Sequence, residues 1–320
     1  MALTEEGIVP VPGLASRWVR LANGAKAHYM TAGESGPAII LLHGGIQGSS
    51  GAAGWRFMAP FLGANGFRVY CPDRPGFGLA DTREEFWPKQ GLFSTVEFIN
   101  DLADALCLDR FHIGGNSQGA QSASYYLVAH PERVISFALI ATGGFNDAMD
   151  IDPSKRVPGT ASIAGFDGSE KSMRDMMEGI IYRKTAISDD LITMRVSQSV
   201  AQKESFDTQR AFMSSALNHP KFGHMMNLKG KLDVTDIPGI YLYGRQDVLG
   251  PVENAYNQED VIPNIQFFYP DECGHQGQTD QPEMFNQVFL EFFRDGKVSR
   301  ATADWAGVSK RRAEIPGLIG

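Results

Sequence analysis

The sequence lacks several features that would place it in common classes of protein. No apolar run approaches the roughly 20 residues that a membrane-spanning helix needs. The formal net charge of −8 disfavours a surface for nucleic acids or anionic membranes. The first residues show no basic segment followed by an apolar one, which is the pattern of a secretory signal. We therefore expect a cytoplasmic protein that binds neither nucleic acids nor membranes.

Cysteine is also scarce, with 3 residues in a chain of 320. Cys71, Cys107 and Cys273 are odd in number and show no CxxC spacing, so they predict reduced thiols and not a disulfide framework. Cys273 lies close to a histidine considered below. We interpret it as a small residue in a tight loop, with a reactive thiol as the alternative. We expect neither a metal ion nor a cofactor.

The most informative stretch is residues 111–126, FHIGGNSQGAQSASYY. An apolar run enters GNSQG at 115–119 and a helix-like run follows, which is the G-x-S-x-G arrangement between a strand and a helix. Such a turn raises a serine hydroxyl above a parallel sheet, and only glycine fits where the backbone turns most sharply. Ser117 is therefore a candidate nucleophile. Because the motif is short, it also occurs around ordinary loop serines. The rest of the chain must distinguish a nucleophile from such a loop serine.

Apolar runs alternate with helix-like segments in the first part of the chain. Strands are indicated at 38–42, 67–71, 111–113, 134–140, 237–243 and 265–269, after a hairpin at 16–31 that turns at Asn23-Gly24. This alternation predicts an α/β fold with a mostly parallel central sheet and helices on both faces. In such sheets the active site lies at the carboxyl ends of the strands.

The alternation breaks between residues 145 and 230, where helix-like stretches carry many methionines and no run resembles a strand. We interpret this segment as an inserted helical cap with an apolar underside suited to bulky substrates. The α/β core would then comprise residues 1–144 and 231–295. Residues 296–320 show little helical periodicity, so they could pack on the body, pack on a second subunit in a homo-oligomer, or form a mobile terminus.

Three complementary side chains follow strand ends in the order Ser117, Asp247 and His275. A serine hydroxyl is too weak an acid to attack unaided, and histidine can take its proton near neutral pH. A carboxylate fixes the imidazole tautomer and stabilises the imidazolium. The order and the strand-end positions predict a catalytic triad.

A glycine-rich segment, HGGI at 43–46, directly follows the buried strand at 38–42. Backbone N–H groups of Gly44 and Gly45 would stabilise an oxyanion there, with the N–H of Gln118 as a second donor. A flexible loop is the alternative interpretation.

Three neighbouring polar residues are expected to be structural. His43 would hold the glycine-rich loop by hydrogen bonds. Asp73 and Arg74 would form a charged pair that ties their own loop to its neighbours.

These motifs resemble those of the α/β-hydrolase superfamily over about residues 16–295. The resemblance is carried by HGG at 43–45, DRPGFG at 73–78, GNSQG at 115–119, YGRQD at 243–247 and CGH at 273–275. Within the superfamily the chain is most similar to the meta-cleavage product hydrolases, which cleave a carbon–carbon bond in vinylogous 1,5-diketones from aromatic degradation. Asn116, GRQDVLGPVENA at 244–255 and PEMFNQVFLEFF at 282–293 carry this likeness.

The resemblance implies that Arg195, in the predicted cap, binds the carboxylate and dienol oxygens of a small-molecule substrate, since a guanidinium suits a carboxylate. A solvated cap arginine is the alternative. Asn116, Ile46 and Gln276 are further expected substrate contacts. Gln276 stands where the family often has tryptophan, and Gln118 where it usually has an apolar residue.

These departures leave other activities open. The first alternative is a carboxylesterase or lactonase with the same triad. An oxygenase or perhydrolase built on a triad fold is a related alternative. A non-catalytic ligand receptor is disfavoured because the triad is complete.

Overall fold

The structure, a computed structural model, describes residues 2–160, 165–215 and 223–320. The strands are β1 (Ala15–Arg20), β2 (Lys26–Ala32), β3 (Ala38–Leu42), β4 (Arg68–Pro72), β5 (Phe111–Asn116), β6 (Val134–Ile140), β7 (Gly239–Leu242) and β8 (Gln266–Phe268). They form one eight-stranded sheet in the order β1-β2-β4-β3-β5-β6-β7-β8. β1 and β2 form the predicted antiparallel hairpin, β2 pairs antiparallel with β4, and the other pairs are parallel. The predicted, mostly parallel α/β sheet is confirmed.

Helices cover both faces of this sheet, which explains why its central strands β3 and β5 are buried along their whole length. The helices are α1 (Gly51–Trp55), α2 (Met58–Ala64), α3 (Leu92–Ala105), α4 (Gln118–Ala129), α5 (Phe145–Ala148), α6 (Glu170–Ile180), α7 (Asp189–Ala201), α8 (Lys203–Ser215), α9 (Val252–Val261), α10 (Gly277–Asp280), α11 (Pro282–Asp295) and α12 (Arg300–Trp305). All five residues of β3, AIILL, are buried between them. Among the described residues, no helix has the length and apolar character that crossing a membrane requires.

Between β6 and β7 the described residues form α5 to α8 and contain no strand. Serines begin two of these helices: Ser169 and Ser188 each accept a backbone N–H bond in the first turn of α6 and α7. The apolar faces of α6 and α7 meet in a cluster of their own, separate from the main core. Its buried members are Met173, Met176, Met177, Ile180, Ile181, Ile187 and Ile192. Residues 161–164 and 216–222 of the predicted cap lie outside the described residues.

Residues 296–320 pack on the body of the same chain, which is one of the three arrangements that the sequence left open. Val308 bridges to Phe268 in β8, and the N–H of Ser309 donates to the carbonyl oxygen of Phe267 over 2.9 Å. Contrary to the weak periodicity of this tail, residues Arg300–Trp305 form a short helix, capped by the Ser299 side chain. The tail thus covers the edge of β8, where unpaired backbone groups would otherwise face solvent.

A buried carboxylate anchors the tail. Glu259, on α9, accepts hydrogen bonds from the Tyr269 hydroxyl (2.8 Å) and from the Ser309 hydroxyl (3.0 Å). Arg311 and Arg312 of the tail approach the same carboxylate at 3.3 and 3.5 Å. Because one buried acid has four partners on two segments, it connects the tail to the domain.

Replacing Glu259 with glutamine should lower the free energy of unfolding by about 3 kcal/mol, because the two guanidinium groups lose their buried counter-charge. Urea unfolding followed by circular dichroism measures this change. The matched control is Asp260→Asn, which removes an exposed partner of Arg311 and should cost less than about 1 kcal/mol. Equal effects of the two variants would contradict the anchoring role of Glu259.

Candidate active site

Ser117 stands on a sharp turn between the end of β5 and the start of α4. Its backbone has φ 56° and ψ −122°, a strained conformation for a residue with a side chain. The flanking glycines are required by close approach. A Cβ on Gly119 would lie 2.2 Å from the carbonyl oxygen of Leu42, and a Cβ on Gly115 would lie 2.4 Å from the Gly119 carbonyl carbon. The structure therefore gives both glycines the steric reason that the motif predicted.

The predicted acid and base lie beyond the ends of β7 and β8 and contact each other. Nδ1 of His275 is 2.7 Å from Oδ2 of Asp247. The other carboxylate oxygen of Asp247 accepts the backbone N–H groups of Leu249 (2.9 Å) and Gly250 (3.2 Å). Nε2 of His275 is buried and has no hydrogen-bond partner in the described part of the chain. This arrangement fixes the imidazole through Nδ1 and leaves Nε2 free to accept a proton.

Asn116 joins the serine turn to the histidine loop. Its side-chain nitrogen donates to the carbonyl oxygen of His275 over 2.9 Å and, more weakly, to that of Ile140 over 3.4 Å. The amide nitrogen is therefore engaged with the protein backbone. The substrate contact predicted for Asn116 stays a prediction, and the observed contact ties the histidine loop to the residue that precedes Ser117.

The protonation behaviour of His275 follows from its surroundings. Burial by itself lowers the pKa of His275, but the charge and the hydrogen bond of Asp247 outweigh burial, so the pKa is raised from the ordinary value of 6.5. A general base must be neutral to accept a proton. We therefore expect this group to lose catalytic competence as the pH falls below its raised pKa.

The glycine-rich loop after β3 lies directly beside the serine turn. A Cβ on Gly44 would be 3.5 Å from Cβ of Ser117, and one on Gly45 would be 2.6 Å from the carboxamide carbon of Gln118. Gln118 is the first residue of α4, where backbone N–H groups have no acceptor within the helix. The structure therefore brings together the three residues, Gly44, Gly45 and Gln118, from which an oxyanion hole was predicted.

His43 has the structural contacts expected of it. Its Nε2 accepts the backbone N–H of Arg74 (3.1 Å), so the ring proton is on Nδ1 and is donated to the carbonyl oxygen of Gly44 (2.8 Å). Burial lowers the pKa of His43 to about 3, with a smaller contribution from the charge of Arg74. The ring is therefore neutral and holds the loop.

Asp73 and Arg74 do not pair with each other within the described residues, contrary to the sequence-based expectation. Asp73 accepts from Nδ1 of His28 (2.8 Å) and from two backbone N–H groups. The guanidinium of Arg74 instead donates to the Gly44 carbonyl oxygen and to the Gln118 side chain. The two adjacent side chains therefore have different hydrogen-bond partners, each in a different part of the fold.

The Asp73 contact belongs to a series of hydrogen bonds, from a serine through a histidine to an aspartate, that is separate from the predicted triad. The sequence did not reveal it. Ser16 Oγ lies 2.9 Å from Nε2 of His28, whose Nδ1 contacts Asp73. Ser16 lies within β1, paired with Met30, in place of a strand–helix turn. Its backbone lacks the strained strand–helix turn on which Ser117 stands, so we interpret this series of hydrogen bonds as structural. Its members are 12 and 45 positions apart, so no local motif in the sequence reveals it.

Arg195 is buried, with 1% of its surface exposed, which contradicts the alternative of a solvated arginine. It lies on α7 and its backbone packs on Gly48 of the glycine-rich loop, where a Cβ would be 2.7 Å from the Arg195 carbonyl oxygen. Nε and Nη1 of its guanidinium have no partner among the described residues. Burial, and then the charge of Arg56, lower the pKa of Arg195 to about 9, so it is still cationic at neutral pH. An unpaired buried cation is costly and indicates an anionic ligand.

A cavity of about 410 Å³ opens beside the predicted oxyanion hole. Gly45, Ile46 and Gln118 line it on the side of the sheet, and Phe206, Gln209 and Arg210 of α8 line it on the other. Ile46 lines this cavity, and the substrate contact predicted for it stays a prediction. Gln276, also predicted to bind substrate, is buried next to His275 and its Oε1 has no partner in the described chain.

The chain belongs to the alpha/beta hydrolase fold family, whose model matches residues 37–282. Its relatives include a 2-hydroxy-6-oxononadienedioate/2-hydroxy-6-oxononatrienedioate hydrolase of Paraburkholderia phymatum, which is 27% identical over 290 residues, covering 87% of this chain and 95% of the relative. The 2-hydroxy-6-oxo-6-phenylhexa-2,4-dienoate hydrolase of Comamonas testosteroni is 29% identical over 275 residues, covering 83% and 91%.

A solved structure gives the same result. The meta-cleavage product hydrolase from Pseudomonas fluorescens IP01 is 26% identical, with a TM-score of 0.67 and coverage of 88% of this chain and 98% of that chain. The superfamily indicated by the sequence is confirmed, and so is the similarity to meta-cleavage product hydrolases.

The acid limb of the pH profile of kcat/KM should lie above pH 6.5, because the pKa of His275 is raised. Asp247→Asn removes the charge that raises it, so the limb should move to lower pH while kcat falls about 10³- to 10⁴-fold. Stopped-flow assays at intervals of about half a pH unit, from about pH 5 to about pH 9, measure both the position of the acid limb and the fall in kcat. Asp271→Asn, an exposed acid near the same loop, should leave the limb in place. A limb that stays fixed in Asp247→Asn would exclude His275 as the titrating base.

Proposed function

We propose that this protein is a cytoplasmic serine hydrolase that cleaves a carbon–carbon bond in a vinylogous diketone from aromatic degradation. The observation that carries the proposal is the His275–Asp247 pair, which Asn116 ties to the strained Ser117 turn. The buried Arg195, whose Nε and Nη1 have no partner in the described chain, supports it. The names of the relatives describe 2-hydroxy-6-oxo dienoates, compounds with a carboxylate at one end and a ketone further along. The three free cysteines suit a reducing compartment.

The geometry supports the following division of labour. Arg195 binds the substrate carboxylate, which supplies the counter-charge that the protein does not provide. Ketonisation of the dienol converts the carbon next to the 6-oxo group into a leaving group, because the electron pair released there is delocalised into the new ketone. Ser117 then attacks the 6-oxo carbon while His275 takes its proton through Nε2.

The resulting tetrahedral oxyanion accepts hydrogen bonds from the N–H groups of Gly45 and Gln118. Collapse of this intermediate breaks the carbon–carbon bond, and the leaving carbon takes the proton held by His275. The acyl group stays on Ser117 until water, activated by His275, releases it as a carboxylic acid. Atoms balance with one water molecule consumed, and no cofactor is needed for this sequence.

We further propose that residues 145–230 form a cap over an α/β core made of residues 1–144 and 231–295. Two features support the division: the separate apolar cluster of α6 and α7, and the contribution of α6 and α8 to the cavity through Met176 and Gln209. Since the reacting groups come from loops of the core, the cap would select the substrate.

The cavity favours a substrate whose far end is an anion. The relatives divide on this point, because some are named for dienedioates and one for a phenyl-substituted dienoate. Gln209 is buried with an unpartnered Nε2, and the exposed Arg210 lies over the Phe206 ring and forms no ion pair within the described chain. The carboxamide oxygen of Gln118 is taken by Arg74, so its Nε2 is the free donor. These donors suit a second carboxylate better than a phenyl ring.

An esterase or lactonase with the same triad is the second candidate. The unpartnered Oε1 of Gln276, next to His275, favours it, because that atom could accept a hydrogen bond from a polar leaving group. A carbon–carbon hydrolase bleaches the visible absorbance of the dienolate, and an esterase of this kind turns over short aryl esters without doing so.

Ser117→Ala should abolish both bleaching of the ring-fission product and labelling by a fluorophosphonate probe. Arg195→Met should raise KM by about 100-fold, since a charge-assisted bidentate contact is lost. Val200→Ala, an exposed change on the same helix, is the control. Rapid aryl ester turnover by the wild type, with no bleaching of any ring-fission product, would refute carbon–carbon cleavage. Labelling that persists in Ser117→Ala would assign the nucleophile to another serine.

A ring-fission product with a carboxyalkyl group at the 6-oxo carbon should have a higher kcat/KM than its 6-phenyl counterpart. Arg210→Met should lower the value for the carboxyalkyl compound about 10-fold and leave that for the phenyl compound nearly unchanged, because only the former has a charge to lose. Arg174→Met, an exposed arginine on α6, serves as the control. A preference for the phenyl compound in the wild type would refute an anion-selective cavity.

A further inference from the structure

Arg74 occupies an unusual environment for a cation. It follows β4, is fully buried, and lies over the ring of Phe77 at 4.7 Å. It forms no ion pair with any carboxylate in the described chain, and its two terminal nitrogens instead donate to oxygens of the predicted oxyanion hole. A buried guanidinium without a counter-charge costs free energy, so its retention calls for a role beyond packing.

The first of these contacts fixes a peptide plane. Nη2 of Arg74 donates to the carbonyl oxygen of Gly44 over 2.6 Å, and Nδ1 of His43 donates to the same oxygen over 2.8 Å. The Gly44–Gly45 peptide bond is trans, so the N–H of Gly45 points opposite to this carbonyl. Two donors that hold the carbonyl from one side therefore aim the N–H toward the other.

The second contact fixes the neighbouring residue. Nη1 of Arg74 donates to Oε1 of Gln118 over 3.0 Å. The Gln118 side chain packs against Gly45, where an added Cβ would lie 2.6 Å from its carboxamide carbon. One guanidinium thus connects the loop after β3 with the first residue of α4, the two segments that carry the N–H donors.

We propose that Arg74 is a positioning residue of the oxyanion hole, which holds the N–H groups of Gly45 and Gln118 in the orientation that binds the tetrahedral intermediate. This inference rests on the proposed role of Ser117. A hydrogen bond from a cation also polarises the Gly44–Gly45 peptide, which makes its N–H a stronger donor. Burial lowers the pKa of Arg74 to about 9, so the group is charged at neutral pH.

The experiment measures a reaction that needs the oxyanion hole but not the substrate carboxylate. The rate constant for phosphonylation of Ser117 by a fluorophosphonate, and kcat and KM for a short aryl ester, are determined for Arg74→Met and Arg74→Lys. We expect Arg74→Met to lower the phosphonylation rate and kcat by about 100-fold, near the loss seen when one oxyanion donor is removed, with KM changed by less than about 3-fold. Arg74→Lys keeps the charge but cannot reach both oxygens, so it should recover part of the loss.

Two further variants separate positioning from general stability. Gln118→Met removes only the Nη1 contact and should lower the rates less than Arg74→Met does. Arg312→Met is the matched control, because Arg312 also donates to backbone carbonyl oxygens, those of Glu259 and Ile262, far from the site. It should lower the unfolding midpoint and leave the phosphonylation rate unchanged.

The outcomes are distinguishable. Wild-type phosphonylation rates in both Arg74 variants, or a rise in KM with kcat unchanged, would overturn the positioning role. If Arg74→Met does not fold, the other variants still test the role. Phosphonylation rates that fall from wild type to Gln118→Met to Arg74→Lys support it, and equal rates overturn it. A wild-type protein that does not react with the fluorophosphonate would overturn the proposed function, and this inference with it.

Discussion

The site depends on how closely the backbone of α4 approaches the end of β3. Two glycines make this approach, with Gly119 against the carbonyl oxygens of Leu42 and His43 and Gly115 against Gly119 itself. The same approach forces the strained conformation of Ser117 and sets the glycine-rich loop against it. A single methyl group would separate the two segments. The contacts of His43, Arg74 and Asn116 then secure an arrangement that this packing has already imposed.

Uncompensated positive charge is the second organising feature. Arg74 and Arg195 are both buried and have no carboxylate partner in the described chain, whereas the buried acid of the site, Asp247, is committed to His275. Burying two such cations costs free energy unless bound anions compensate their charge. The arrangement supports the proposed reaction, in which Arg195 binds a permanent negative charge on the substrate and the N–H groups that Arg74 is proposed to orient bind a transient one on the reacting carbonyl oxygen.

Side-chain composition alone does not define the proposed catalytic chain. The described residues contain a Ser-His-Asp series of hydrogen bonds outside the predicted triad, in which Ser16 contacts His28 and His28 contacts Asp73. In the predicted triad His275 contacts Asp247, and its Nε2 has no partner in the described chain. What separates them is the backbone: Ser16 lies within a strand, and Ser117 lies on a turn beside two N–H donors. We therefore attribute the proposed reactivity of Ser117 to the conformation around it, and the proposed specificity to the side chains of the predicted cap.

The sequence by itself determined the features that depend on neighbouring residues. The alternation of apolar runs with helix-like segments located the strands. The spacing of the glycines located the Ser117 turn, because steric contacts at a strand–helix junction involve residues only a few positions apart. Only the tertiary structure decided the partners of Arg74, the contact between Asn116 and His275, and the packing of the tail on β8. These contacts join residues 44, 159 and 40 positions apart, respectively. No local periodicity records such pairs, since they are set by where the sheet brings its strand ends together.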